Sequence, residues 1–477
     1  MRGGTDTPGP RNRSINLPQL EDINSDPNIV EVNLEAAVTR KEFVPGVPVE
    51  VWAYNGQVPG PLLAAKVGDR VIVHFTNSLP EPTTIHWHGV RVPANMDGTA
   101  TMQDPVQPGQ TFTYSFDVSD AALFWYHPHI RSDFQVEKGL YGPLVVRSPQ
   151  EPTTTAEQIL VLDDIRLNSD GMLDDSSQNM GNMNMDDMMG REGNVLLVNG
   201  VANAEIALRP GGLYRWRIVN SAPARYFRLA LPSHTLWQIG TDGGPIEKPY
   251  AREEILLAPG ERADIMVQAT ASADQTFELQ AMPYERGHAT AMADSMPLMH
   301  VVYEGEAVQN APTLPTTLGV VSLLPEAPTV RLFRLSEDNE TPMDTGTGNE
   351  HGTHMMAAST MPDMEMTGMM RPVFRINGEA FPDITPIVSS RDTIETWQII
   401  NETVMDHPFH LHGFFFQTSV DGTPDGPLAW KDTVNIPAQT TVSLNVLFDG
   451  YTGSWMYHCH ILAHAELGMM GELKINP

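Results

Sequence analysis

Short runs of alternating apolar and polar residues recur along the whole chain and predict β-strands. Four of them are VGDRVIVHFTN (67–77), PGQTFTYSFDV (108–118), GGLYRWRIVN (211–220) and RDTIETWQII (391–400). The chain has 38 Gly and 39 Pro, which punctuate these runs, and no long segment repeats its apolar residues at helical period. The pattern therefore predicts an all-β protein built from sandwiches.

A weak internal repeat divides the chain into three units. Each copy begins with an Asn-Gly pair, continues through a turn, and closes with an alternating strand that ends in Asn. The copies are YNGQVPGPLLAAKVGDRVIVHFTN (54–77), LVNGVANAEIALRPGGLYRWRIVN (197–220) and RINGEAFPDITPIVSSRDTIETWQIIN (375–401). We expect domains at 1–150, 151–310 and 311–477, with linkers at 149–155 and 311–317.

Two methionine-rich segments, at 172–190 and 341–372, interrupt the second and third units. Six Met fall in 172–189 and eight in 343–370, among Gly, Asn, Asp and Thr. This composition is too poor in bulky aliphatic residues to build a core, so it predicts mobile insertions. Thioethers select Cu(I), so copper handling is one hypothesis, joined in the second segment by His351 and His354. A functionally silent linker is the other.

Charge narrows the choice of partners. The formal net charge is −30, which repels nucleic acid and anionic lipid surfaces and attracts cations. No run of 18 apolar residues is present, so we expect no membrane insertion. The N-terminal stretch MRGGTDTPGPRNRS has no apolar core of a signal peptide, which leaves a cytosolic protein or an exported form without its leader.

Histidine is concentrated in four short motifs. Ten of the 16 histidines lie in HWHG (86–89), WYHPHI (125–130), HPFHLHG (407–413) and HCHILAH (458–464). In a strand, residues i and i+2 share a face about 6.6 Å apart, so a His-x-His pair can serve two neighbouring metals. Imidazoles are ligands that copper favours. One such motif alone is weak evidence for a metal, but four in one chain are strong evidence.

The chain has one cysteine, Cys459, between His458 and His460. A single thiol excludes an intramolecular disulfide and a zinc site with several thiolates. In an extended chain the two imidazoles face one side and the thiolate the other. Cys459 would then join His464, Met469 and an imidazole from elsewhere. Two histidines, one cysteine and a weak axial methionine form a blue-copper centre.

The motifs HWHG, HPH, HPFHLHG and HCHxxxHxxxxM, in this order, resemble the four copper-binding motifs of the multicopper oxidases, which include laccases and bacterial cuprous oxidases. The resemblance covers most of the chain except the methionine-rich segments and the N-terminal tail. It implies three consecutive cupredoxin-like Greek-key β-sandwich domains. Copper ligands would come from the first and third units, with a trinuclear site between them and the middle unit as a spacer.

The resemblance also implies a role for each motif residue. The type 1 copper would be held by His407, Cys459 and His464, with Met469 preferred over Met470 as axial ligand. The type 2 copper would be held by His86 and His410. The type 3 pair would be held by His88, His127, His129, His412, His458 and His460. Asp97, in the turn NMDG, matches the acidic residue that serves proton delivery in the family, although an Asp-Gly turn alone would also explain it.

The chain departs from the family pattern at two places. Some bacterial members carry Glu directly after the histidine that matches His464, whereas this chain has Ala465 there and Glu466 one position later. A proton route through that position would have to differ. The family's acidic Cu(I) site is harder to place, since Met405 and Asp406 adjoin His407 with a different spacing.

The implied reaction couples four one-electron oxidations to the reduction of O2 to two waters, with four coppers (one type 1, one type 2, a type 3 pair) and further Cu(I) at the methionine-rich segments. The expected reductants are Cu(I), small phenols and aryl amines, in a monomeric protein of copper tolerance that is periplasmic or secreted. The methionine-rich segments favour a metallo-oxidase with laccase activity as a side reaction.

Three alternatives remain. One is a copper-sequestering protein. Another is a blue-copper electron carrier, which leaves eight histidines unexplained, and the third is a copper nitrite reductase, which uses fewer histidines per chain.

Overall fold

The computed structural model describes residues 15–174, 189–287, 294–340, 371–419 and 427–477. In this part of the chain, strands dominate and the α-helices have only five or six residues, which confirms the all-β prediction. The three-unit repeat is visible as three pairs of sheets. Most of both methionine-rich segments lies outside the described residues.

The first pair of sheets is built from residues up to 147. Its strands are β1 (Ile29–Val44), β2 (Val47–Tyr54), β3 (Leu63–Lys66), β4 (Arg70–Ser78), β5 (His86–His88), β6 (Thr111–Asp117), β7 (Leu123–His127) and β8 (Gly142–Arg147). They form the sheets β2-β1-β4-β6 and β3-β8-β7-β5. A 3-10 turn at Ala94–Met96 and helix α1 (Ser132–Glu137) follow β5 and β7.

The second pair uses residues 156–303. Its strands are β9 (Ala156–Ile165), β10 (Val195–Val198), β11 (Ala204–Leu208), β12 (Leu213–Asn220), β13 (Phe227–Ala230), β14 (Leu236–Thr241), β15 (Gly244–Arg252), β16 (Glu254–Leu257), β17 (Arg262–Gln268), β18 (Thr276–Met282) and β19 (Met296–Tyr303). They form the sheets β10-β9-β12-β17-β14-β15 and β11-β19-β18-β13-β16.

The third pair uses residues 329–476. Its strands are β20 (Thr329–Glu340), β21 (Arg371–Ile376), β22 (Ile387–Ser390), β23 (Thr393–Asn401), β24 (His407–Leu411), β25 (Phe416–Ser419), β26 (Leu428–Lys431), β27 (Thr433–Ile436), β28 (Thr441–Phe448), β29 (Gly453–Cys459) and β30 (Met470–Asn476). They form the sheets β21-β20-β23-β28-β25-β26 and β22-β30-β29-β24-β27, the same arrangement as in the second pair. Helix α2 (Leu462–Glu466) lies between β29 and β30. The domain boundaries stay a prediction, and they fall between these pairs of sheets.

The repeated Asn-Gly pairs make tight hairpin turns. Asn55, Asn199 and Asn377 have φ of 48°, 52° and 56°, and the glycine after each has φ of 73°, 72° and 79°. A two-residue turn of this type needs positive φ at both positions, which Asn and Gly adopt at low cost. The turn chemistry therefore explains why this dipeptide opens every copy of the repeat.

The asparagine that closes each copy has a different task. Asn77, Asn220 and Asn401 are all buried, and each side-chain amide donates to two backbone carbonyls, one in the loop that follows and one in a segment distant along the chain. Each side-chain oxygen accepts the backbone N–H two residues later. A buried loop would otherwise leave these backbone groups unpaired, at a cost of about 1–3 kcal/mol for each. In the third unit this loop leads directly to His407.

Each pair of sheets encloses its own apolar core, centred on Phe75, Trp216 and Trp397 in turn. A further cluster joins residues from all three regions, among them Trp125, Val219 and Leu462. The three units are thus packed together around the strands that carry the histidine motifs. No helix among the described residues has the length and apolar character needed to cross a membrane.

Candidate copper centres

Four neighbouring strand segments carry the histidine motifs. In the first unit β5 pairs with β7, which places His86 opposite His127. In the third unit β24 pairs with β29, which places His410 opposite His458. Each motif therefore lies beside a second motif of the same unit, and the two sheets meet with their imidazoles face to face.

Stacked rings join the two units. The His86 and His412 ring centroids are 3.8 Å apart, and those of His88 and His410 are also 3.8 Å apart. We call the eight imidazoles at this junction the histidine cluster. Its members are His86, His88, His127, His129, His410, His412, His458 and His460. Only His129 retains appreciable exposure.

Ligand atoms converge within the histidine cluster. Nitrogens of His129, His412 and His458 lie within 4.8 Å of one another, as do those of His86, His410 and His412. A third such group holds His86, His88 and His127. The groups overlap, so the cluster offers several adjacent metal positions.

Hydrogen bonds on the outer edges of the rings direct the inner nitrogens. Nδ1 of His86, His127, His410 and His458 each donates to a backbone carbonyl at 2.8–2.9 Å. Nδ1 of His412 donates to the Asp97 carboxylate at 2.8 Å. A ring that donates from Nδ1 keeps its lone pair on Nε2. These five rings therefore aim Nε2 into the cluster.

His88 has the reverse orientation. Its Nε2 lies 3.1 Å from Asp432 Oδ1 and 3.1 Å from Thr433 Oγ1, so its Nδ1 faces inward. Within the histidine cluster, the buried nitrogens without a hydrogen-bond partner among the described residues are His86 Nε2, His88 Nδ1, His127 Nε2, His410 Nε2 and both ring nitrogens of His460. Buried polar atoms normally have partners. Inward lone pairs that lack them fit metal ions.

Asp97 follows the 3-10 turn and is fully buried. Its backbone oxygen accepts from His86 Nδ1 at 2.9 Å and its Oδ2 accepts from His412 Nδ1 at 2.8 Å. The carboxylate also lies 3.3 Å from His86. Gly98 allows this approach, because a Cβ there would lie 1.9 Å from the carbonyl oxygen of Ile85. Asp97 thus fixes two imidazoles at once.

A second, smaller centre surrounds Cys459. Its Sγ lies 3.5 Å from His407 Nδ1 and 3.7 Å from His464 Nδ1, and the two nitrogens are 3.3 Å apart. Three ligands in a plane around one metal, with bonds of about 2.0 Å to N and about 2.3 Å to S, place two nitrogens about 3.5 Å apart and nitrogen and sulfur about 3.7 Å apart. The observed triangle fits one copper ion.

Neighbours hold this triangle in place. His407 Nε2 donates to Thr403 Oγ1 at 2.8 Å, which leaves Nδ1 for the metal. The Phe374 ring stacks on His464 with centroids 4.0 Å apart. Met469 is fully buried in the core cluster that contains Cys459, whereas Met470 packs in another cluster with Met456. Met469, and not Met470, therefore packs in the same cluster as Cys459.

Burial controls the protonation of both centres. It is the main cause that lowers the pKa of His88, His127, His129, His410, His412, His458 and His460. It also lowers the pKa of His407 to about 3 and raises that of Cys459 to about 12. The imidazoles are therefore neutral, as metal ligands must be. The thiol needs a cation to displace its proton.

Some residues at the site carry no signal in the sequence. Thr403, Phe374 and Asp432 reach their histidines only through the tertiary fold, and each belongs to an ordinary strand or loop motif. The only sequence cue for Asp432 is that it directly follows Lys431, the last residue of β26. Composition could not single it out from 59 acidic residues.

Two candidate acids contact neighbouring groups of the protein. Asp406 is buried, and its carboxylate accepts from Tyr284, from Asn435 Nδ2 at 2.9 Å and from the backbone N–H of Ala438 at 2.9 Å. These donors occupy it, so Asp406 supports the loop before His407. Glu466 accepts from the backbone and the hydroxyl of Ser132 at 2.7 and 2.9 Å, which ties α2 to α1.

Comparison with known proteins agrees with this geometry. Three family profiles, each described as multicopper oxidase, match residues 36–151, 149–306 and 354–477. The chain is 32% identical over 457 residues to the multicopper oxidase MmcO of Mycobacterium tuberculosis, covering 90% of this chain and 84% of that protein. It is 26% identical to a copper resistance protein A homolog of Pseudomonas syringae, covering 88% of each.

Solved structures give the same result. A multicopper oxidase from Campylobacter jejuni, described as a metallo-oxidase, superposes with a TM-score of 0.79 at 30% identity, covering 97% of this chain and 94% of that one. A laccase from Pediococcus acidilactici superposes with a TM-score of 0.80 at 26% identity, covering 98% and 95%.

With this site and these relatives, the chain belongs to the multicopper oxidase family. Its three pairs of sheets are cupredoxin-like domains, as the resemblance in the sequence implied. The protein is an oxidoreductase with copper cofactors.

Proposed function

We propose that the protein oxidises Cu(I), with phenols and aryl amines as secondary substrates, and passes the electrons to O2, which is reduced to water. The observation that carries this proposal is the pairing of two centres through one tripeptide. Cys459 lies in the triangle with His407 and His464, while the residues on either side of it, His458 and His460, belong to the histidine cluster.

The inward nitrogens support the ligand assignment. The Cys459 triangle would hold the type 1 copper, with Met469 as axial ligand. The type 2 copper would lie between His86 and His410. One type 3 copper would lie among His129, His412 and His458, whose nitrogens converge. The other would be held by the three remaining rings, His88, His127 and His460, whose centroids are 4.9–5.8 Å apart.

Bound copper at these positions would accept single electrons at the Cys459 triangle and reduce O2 with four electrons and four protons at the histidine cluster. The chain supplies orientation, exclusion of water and proton positions. Burial keeps the imidazoles neutral, and Asp97 holds His86 and His412. We propose Asp97 as the carboxylate that passes protons to the cluster, since its Oδ1 has no hydrogen-bond partner among the described residues.

The ends of both methionine-rich segments support Cu(I) as the reductant. β21, which follows residues 341–370, carries Phe374 on top of His464. Met189 packs in the core cluster of Cys459, and a Cβ on Gly190 would lie 2.4 Å from Ile461. Arg286 fixes that end by donating to the carbonyls of Met189 and Gly190. Both segments thus reach the described fold beside the type 1 position.

Three further points complete the proposal. The domains are 1–150, 151–310 and 311–477. A monomer is sufficient, since one chain supplies every ligand. We expect a periplasmic or secreted protein of copper tolerance, as for relatives named copper resistance proteins.

The test is oxygen uptake by fully copper-loaded protein, with Cu(I) and a simple phenol compared side by side. We expect much higher kcat/KM with Cu(I). Replacing Met361, Met364, Met366, Met369 and Met370 by Leu should remove most of that preference, because Leu keeps the apolar volume and removes the thioether. The rate of oxygen uptake with the phenol should not change.

Met102→Leu is the matched control, since Met102 is exposed on the first unit. It should change neither rate. A phenol preference that ignores the five substitutions would make the protein a laccase and contradict the Cu(I) assignment. No oxygen uptake with four coppers bound would contradict oxidase activity and favour copper sequestration.

A further inference from the structure

A network of buried charges lies behind the histidine cluster, at the junction of the three units. Arg262 begins β17 of the middle unit and is almost completely buried. Its guanidinium forms a two-pronged ion pair with Asp432 of the third unit, with Nη1 2.7 Å from Oδ1 and Nη2 2.5 Å from Oδ2. Paired contacts of this kind fix orientation as well as charge.

The same guanidinium contacts the other two units. Nε donates to the carbonyl of Leu123 in the first unit at 3.1 Å. Nη1 and Nη2 donate to the carbonyls of Gly260 and Asp242 in the middle unit at 3.0 and 3.1 Å. All of its donor nitrogens are therefore engaged, and they join all three units at one point.

Asp432 transmits this position to two imidazoles. Its Oδ1 lies 3.1 Å from His88 Nε2, and its backbone oxygen accepts from His410 Nδ1 at 2.9 Å. These are the outer nitrogens of the stacked pair that joins the first and third units. The orientation of both rings thus depends on where Asp432 is held.

His88, His410 and Asp432 also satisfy the spacing of a metal site. Arg262 argues against an ion there, because its cationic group already occupies both carboxylate oxygens. The ring nitrogens on that side donate to oxygen and so have no lone pair to offer. The group is better explained as the outer support of ligands that bind metal through their other nitrogens.

A loop of the middle unit adds a steric contact. Gly260 has φ of +85°, and a Cβ there would lie 2.9 Å from a ring carbon of His460 and 3.0 Å from Cε1 of His88. The backbone two residues before Arg262 therefore lies directly against two imidazoles of the cluster. The middle unit holds no ligand but contacts the site through both features.

We propose that Arg262 is a positioning residue for the trinuclear centre, and that the middle unit organises this centre through Asp432. The proposal rests on the ligand assignment made above. Loss of the guanidinium would free Asp432 to move and leave it buried without its counter-ion. His88 and His410 would lose their orientation, whereas the Cys459 triangle makes no contact with this network in the described residues.

The test compares Arg262→Met with unaltered protein, each loaded with copper and challenged with a chelator. We expect the affinity for the type 2 copper to fall about 10- to 100-fold, as for other residues that orient metal ligands. Electron paramagnetic resonance should show a weakened or altered type 2 signal, while the type 1 signal and blue absorption persist. Arg262→Lys keeps one charge on Asp432 and should recover part of the affinity.

Arg217→Met is the matched control. Arg217 is equally buried in the middle unit and forms ion pairs with Glu151 and Glu157, in place of the contact with Asp432 that Arg262 makes. Removing it should lower the thermal midpoint without selective loss of type 2 copper. If Arg262→Met folds poorly, Arg262→Lys carries the test, with intact blue absorption as the sign that the third unit is folded.

Normal chelator resistance in both Arg262 variants would overturn the proposal. Equal loss of blue and type 2 signals, matched by Arg217→Met, would also overturn it, because it would indicate a role in stability alone. Failure of the unaltered protein to bind four coppers would instead refute the ligand assignment and so is a separate outcome.

Discussion

Replacing Asp97 by Asn tests whether this carboxylate serves the chemistry of the histidine cluster. Asn has nearly the same shape, and the bond from His86 Nδ1 to the backbone oxygen stays in place. The substitution weakens the 2.8 Å hydrogen bond from His412 Nδ1, because its acceptor at position 97 is then a neutral amide. The carboxylate near His86, at 3.3 Å, is also lost.

The magnitude follows from the hydrogen bond. A bond to a charged acceptor contributes about 1.5–3 kcal/mol and a neutral one about 0.5–1.5 kcal/mol, so the loss is about 1–1.5 kcal/mol. At 1.36 kcal/mol for each factor of ten, O2 reduction should slow about tenfold. Loss of a proton-transferring group would add to this, since general acid–base catalysis contributes about 10²–10⁴-fold.

The assay separates the two halves of the reaction. Anaerobic mixing with a phenol follows reduction of the blue centre, and mixing the reduced protein with O2 follows its return. We expect Asp97→Asn to slow the second step and leave the first unchanged. Asp120→Asn is the control, since Asp120 pairs with Arg91 at the surface of the same unit. Unchanged reoxidation across pH, or equal slowing of both steps, would refute the reasoning.

Three further outcomes are expected. Thr403→Val removes the acceptor of His407 Nε2, so copper affinity at the blue centre should fall about 10- to 100-fold in chelator titrations. The type 2 signal should stay, and loss of both the blue and the type 2 signals would contradict a selective role for Thr403. Gly98→Ala places a Cβ 1.9 Å from the Ile85 carbonyl oxygen. It also forces a side chain onto a backbone with φ of +79°, which alone costs about 1–2 kcal/mol. Both the thermal midpoint and the type 2 copper content should therefore drop. The copper-free protein should lose stability as pH falls below about 6.5, because burial lowers the histidine pKa values in the folded state and the unfolded chain then binds more protons. Each such histidine lowers the free energy of unfolding by about 1.4 kcal/mol at pH 5.5. A thermal midpoint that does not change between about pH 7.5 and 5.5 would therefore contradict the burial of neutral imidazoles.

Local patterns predicted the strands and the repeat because period-2 alternation and Asn-Gly turns act over a few residues. The strands expected at 67–77, 108–118, 211–220 and 391–400 all form. The convergence of the histidine motifs could be expected only from the family resemblance, since rings such as His88 and His410 meet across more than 300 residues of chain.

Contacts made by ordinary residues were beyond sequence reasoning. Nothing local distinguishes Arg262 from Arg217, yet one supports the histidine cluster and the other an ion-pair network within the middle unit. Which nitrogen each imidazole turns inward was equally hidden. His88 differs from the other oriented rings because Asp432 lies beside its Nε2, and that neighbour is known only from the fold.

The two proposed copper centres differ in how many units each one needs. The triangle of His407, Cys459 and His464 lies wholly within the third unit. The histidine cluster exists only where two sheets meet, and Asp97 reaches His412 across 315 residues. Under the proposed ligand assignment, the third unit alone can form the blue centre, whereas the oxygen-reducing centre also needs the first unit docked against it, so full copper content would report that docking.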